Sequence, residues 1–64
     1  MNTFYYFEGR IFETKEKAEL AARDYTTKKI DEIETEKSFD EFENAFDELR
    51  EQGNSGLDAI EWAK

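Results

Sequence analysis

Aromatic and β-branched residues open the chain in TFYYFEGRIFET, residues 3–14, on both sides of a Glu8-Gly9 pair. The pattern predicts a β-hairpin in which Gly9 takes the positive φ that a tight turn requires. The turn type stays open. A two-residue type I′ turn prefers Asn or Asp where Glu8 stands, and a three-residue loop with Gly9 in the left-handed region fits the same residues in another register. In both registers each face of the hairpin carries aromatics. Because an isolated hairpin is marginal in water, one face is expected to cover helices while the other keeps Tyr or Phe side chains near solvent.

Downstream the hydrophobic period lengthens. Thr14 is placed to cap KEKAELAARDYTTKKIDEIETEK, where Ala18, Ala21, Ala22, Tyr25, Ile30 and Ile33 fall at helical spacings, so a long first helix is expected. The β-branched pair Thr26-Thr27 lowers helix propensity and leaves a bend or break there open. Ser38, with Glu41 three residues on, forms a capping-box pattern. Behind it Phe39, Phe42, Phe46 and Leu49 recur along one helical face, which makes Phe42 and Phe46 the expected core anchors. Gly53 suits the left-handed position that ends this helix. Ser55, with Asp58 three residues on, is then expected to cap a short last helix that holds Leu57, Ile60 and either Trp62 or Ala63 against the core. The predicted order is ββααα: an α+β fold, one domain over residues 1–64, with an N-terminal hairpin followed by two to three helices.

Composition makes this core economical. At 64 residues the chain is near the size below which folding usually needs a metal or a disulfide. It has no Cys and is 41% charged, so its large aromatics, 16% of all residues, must supply most of the buried area. The lack of Cys also fits a reducing compartment, and with no signal peptide or membrane-length apolar run the expected location is cytoplasmic, in a host cell, away from membranes.

Charge changes the picture most. Residues 1–30 carry net +1, residues 31–51 net −8 and residues 52–64 net −1, so the whole formal charge of −8 sits in DEIETEKSFDEFENAFDELRE. Asp40, Glu41, Glu43, Asp47, Glu48 and Glu51 face Arg50 alone on the predicted helix, and Asp31, Glu32, Glu34 and Glu36 precede them. Twelve helical residues rise about 18 Å, so six carboxylates give roughly one charge per 3 Å, close to the ~3.4 Å spacing along one strand of B-DNA. A merely solubilising face would mix both signs. The expected interaction residues are Asp31, Glu32, Glu34, Glu36, Asp40, Glu43, Asp47, Glu48 and Glu51.

Chemistry is otherwise scarce. His and Cys are absent, and Ser38 and Ser55 are both accounted for as helix caps, so no catalysis is expected. The acids lie opposite an apolar stripe, not in the contrasting environments that an acid/base pair needs. Asp31, Glu32, Glu34 and Glu36 lack the Gly and the ligand alternation of a calcium loop, and no metal or other cofactor is expected. Arg10 and Lys15 are too few to form a nucleic-acid groove beside the aromatics, so direct nucleic-acid binding is not expected either.

In size, charge and layout the chain resembles the small acidic inhibitors carried by phages and mobile elements, the anti-CRISPR and antirestriction proteins that imitate nucleic acid. The resemblance implies an inhibitor that blocks a basic nucleic-acid-binding site on a host defence complex without catalysis. The competing expectation is a small structural or regulatory interaction module that docks through its aromatic hairpin and keeps the acids as solvent cover.

Overall fold

A computed structural model describes residues 1–54 and 56–64, and the expected cap at Ser55 lies outside them. The chain forms an α+β fold in the order β1 (Asn2–Phe7), β2 (Arg10–Phe12), α1 (Lys15–Ala22), β3 (Asp31–Thr35), α2 (Phe39–Glu51) and α3 (Gly56–Ala63). The strands form one antiparallel sheet in the spatial order β2-β1-β3.

The hairpin is closed by Glu8 and Gly9 alone. Both have positive φ, 48° and 80°, as a type I′ turn requires, and Phe7 pairs with Arg10 across it. The two-residue alternative is therefore the one adopted. Strand alternation then sorts the aromatics onto two faces. Phe4, Tyr6, Ile11 and Ile33 pack with α2 and α3, whereas Tyr5, Phe7 and Phe12 pack with Ala18, Ala21 and Ala22 of α1. The sheet is thus the middle layer between α1 and the α2–α3 pair, and both aromatic faces have helices of the same chain against them. Phe4, Phe7 and Phe12 are buried, while Tyr5 and Tyr6 are half-buried.

The first helix departs from expectation. Thr14 does cap it, accepting a hydrogen bond from the Lys17 amide, but α1 stops at Ala22 after eight residues. Tyr25 leaves the helix and meets Phe7 edge-on, ring centroids 4.9 Å apart. Residues 31–35, expected as helix, form β3. The cause is tertiary: β1 has one edge taken by β2 and needs a partner on the other. Glu32-Ile33-Glu34-Thr35 presents Ile33 and Thr35 to the α2 side of the sheet, where both are buried.

The second helix forms as its pattern predicts. Ser38 and Glu41 make a reciprocal capping box, and Phe42 and Phe46 are the largest fully buried side chains. Phe42 stacks on Phe4 at 5.7 Å between centroids, and Phe46 meets Tyr6 edge-on at 6.3 Å. At the far end Gly53, with φ 93°, donates to the Arg50 carbonyl and Asn54 to the Leu49 carbonyl, the paired bonds of a Schellman motif.

The last helix buries Ala59, Ile60 and Ala63, and small alanines let it approach α2 closely. Leu57, expected in the core, is exposed, as is Trp62 at 65%. The cause is angular: at 100° per residue Leu57 and Trp62 fall on opposite flanks of the stripe formed by Ala59, Ile60 and Ala63. Thr35 ties this helix to β3: its hydroxyl donates to the Lys64 carbonyl at 3.2 Å and accepts from the Lys37 amide at 3.2 Å. Lys37 Nζ also donates to the Ala63 carbonyl, a cation at the negative end of the helix dipole.

Candidate functional site

Because Phe42 and Phe46 turn inward, the α2 positions between them turn outward. Asp40, Glu43, Asp47 and Glu51 follow one another in steps of three and four residues and form a ridge along the outer face. Glu48 lies on its flank, and all five are exposed. Glu41 is exposed as well, but its carboxylate is engaged at the cap, accepting from the Ser38 amide and hydroxyl. The helix spans thirteen residues and therefore rises about 20 Å.

Counter-charge borders this ridge near Glu43 and Asp47. Arg50 Nη1 lies 3.9 Å from Asp47, an exposed pair worth little in water, and its guanidinium sits 5.9 Å from the centre of the Phe46 ring. A shallow groove beside the helix is lined by Arg10, Ile11, Glu43, Phe46, Asp47 and Arg50. Among the described residues no Lys or Arg nitrogen lies within 4.0 Å of Asp40, Glu43, Glu48 or Glu51. The ridge therefore projects its negative potential outward with little internal compensation.

Of the other four candidate residues, Glu32 and Glu34 lie across the sheet from this ridge, and Asp31 shares the α2 side with Ile33 and Thr35. Glu32 and Glu34 alternate with Ile33 and Thr35, so their side chains leave β3 on the α1 side of the sheet, away from α2. Both are exposed. Asp31 lies at the start of the strand, half-buried, and Glu36 is exposed just beyond its end. The nine acids that the sequence presented as one run thus divide into a helical ridge, formed by Asp40, Glu43, Asp47, Glu48 and Glu51, and a strand group, formed by Asp31, Glu32, Glu34 and Glu36, with the sheet between most of their side chains. A flat partner seated on the α2 ridge does not meet Glu32 and Glu34.

The strand group gains a property that the sequence reading missed. As part of β3 it decorates a sheet edge, and the signal for it was the alternation of Glu32, Glu34 and Glu36 with the β-branched Ile33 and Thr35. Among the described residues no group of three or more Asp or Glu is arranged to hold a metal ion, and no helix is long and apolar enough to cross a membrane. Set beside models of protein families, curated proteins and solved structures, the chain matches none of them.

Proposed function

We propose that the protein is a non-catalytic inhibitor whose α2 ridge occupies a positively charged nucleic-acid-binding surface, of the kind a host defence complex offers to DNA. The observation that supports this reading is the ridge itself: exposed carboxylates from Asp40 to Glu51, about 17 Å along a rigid helix, anchored from behind by Phe42 and Phe46. Each carboxylate that meets a Lys or Arg takes the place of a phosphate contact. Binding is then steered by charge and weakened by salt. Rigidity matters because a preformed ridge loses little conformational entropy on docking.

The division of the acids narrows the proposal to Asp40, Glu43, Asp47, Glu48 and Glu51 as the contact set. The test is capture from a cell that carries candidate defence complexes, followed by DNA competition on the captured complex. Reversal of Asp40, Glu43, Asp47 and Glu51 to Lys should abolish capture and leave the circular dichroism spectrum unchanged. Capture that survives this reversal in a folded protein, or that does not weaken between low and high salt, would overturn the reading.

A further inference from the structure

The outer edge of β3 lies apart from the ridge on α2 and has no strand beside it among the described residues. Strand pairing defines which backbone groups point outward. The pair that flanks a two-residue turn, Phe7 and Arg10, is hydrogen-bonded, and such pairs alternate along antiparallel strands. Tyr5 and Phe7 therefore bond β2, and Asn2, Phe4 and Tyr6 turn to β3, where they pair with Thr35, Ile33 and Asp31. The intervening residues of β3, Glu32 and Glu34, must then direct their N–H and C=O groups away from the sheet. Among the described residues nothing hydrogen-bonds to them: the neighbouring side-chain bonds run from Thr35 to Lys64, from Lys37 to Thr35 and Ala63, and from Asn2 to Lys37.

An edge of this kind is a template for another strand, and its side chains determine what can pair with it. A second copy is disfavoured. Antiparallel pairing of β3 with itself, about Ile33, would set Glu32 opposite Glu34 twice over, and moving the register by two residues sets Glu34 opposite Glu34. Like charges directly opposite each other destabilise a strand pair. A strand with Lys or Arg at alternate positions reverses the sign of both contacts, while its intervening residues fall beside Ile33 and Thr35 on the other face.

We infer that the β3 edge binds an extended basic peptide by strand addition, with backbone bonds to Glu32 and Glu34 and alternate Lys or Arg side chains over the Glu32 and Glu34 carboxylates. Affinity would come from the ladder and selectivity from the alternation. This separates the edge from a merely acidic surface, which attracts any cluster of positive charge equally.

The experiment uses the full chain and two capped peptides of equal composition, TTKTKTT and TTTKKTT, titrated while backbone amide resonances are followed; only the first puts both Lys on one face of a strand. Both peptides offer the same backbone ladder, so the alternating one should bind more tightly by roughly threefold, the value of one added charge pair across the strands. Its shifts should centre on residues 31–36, and hydrogen exchange at the Glu32 and Glu34 amides should slow. Glu34→Pro removes an outward N–H and no bond to β1, so it should weaken binding of the alternating peptide more than Glu34→Gln, which removes the same carboxylate and keeps the N–H. If Glu34→Pro loses the native spectrum, exchange at the Glu32 amide of the unaltered protein decides the matter. Equal binding of the two peptides, shifts centred on α2, unchanged exchange at Glu32 and Glu34, or self-association through residues 31–36 in the absence of peptide would each overturn the inference.

Discussion

Glu8 carries a backbone conformation that its side chain opposes. With φ at 48° it is the non-glycine residue among those described that has positive φ, and it is there because the turn next to Gly9 needs two such residues in succession. The left-handed region costs an L-residue about 1–2 kcal/mol, less for Asn, whose short amide bonds locally. Glu8→Asn should therefore stabilise the domain by about 0.5–1 kcal/mol, read as a higher denaturant midpoint with an unchanged slope. A lower midpoint would mean that the Glu8 side chain makes a contact worth more than the backbone strain. The position of the turn was legible in the sequence from Gly9, but its length was not. Two residues rather than three became clear only from the pairing of Phe7 with Arg10, which depends on how both faces of the strands are packed.

At the scale of elements, α2 and β3 show where sequence reading succeeds and where it fails. The helix was legible because local and tertiary signals agree: the Ser38–Glu41 box, the stripe through Phe42 and Phe46, and Gly53 at its end. Ser38→Ala removes one half of the box and should cost about 1 kcal/mol, measurable as a lower melting temperature. No change would show that the Glu41 carboxylate alone holds the first turn. The strand was hidden because Ile30 and Ile33 are three apart, as in a helix, while Ile33 and Thr35 are two apart, as in a strand. Five residues are too few for period alone to decide. The open edge of β1 decides it, and that edge is visible only once the hairpin is folded and α1 has ended at Ala22. The same misreading merged the acids of β3 and α2 into one surface. Their charges were legible in the sequence, but the sheet between them was not.

Across the whole molecule, a formal charge of −8 on 64 residues means that folding gathers like charges that the unfolded chain holds farther apart. Salt shortens the range of that repulsion to about 8 Å near physiological strength. Added sodium chloride should therefore raise the melting temperature, even as it should weaken the binding proposed for the α2 ridge. The two trends have opposite signs and can be read on the same sample. A melting temperature that falls with salt would show that attractive pairs such as Lys64–Glu61 and Arg50–Asp47 outweigh the repulsion. The exposed side chain of Trp62 sets a practical condition on such measurements. An indole that already faces water in the native state has little further to move, spectroscopically, when the chain unfolds. Its fluorescence colour should hardly change across the transition, so a flat emission trace belongs to this fold as much as to a disordered chain, and unfolding has to be followed by far-ultraviolet dichroism or calorimetry. The same indole becomes a sensitive reporter when something covers it, because an emission shift towards the blue would then signal contact with another molecule at α3 and not a change in the fold.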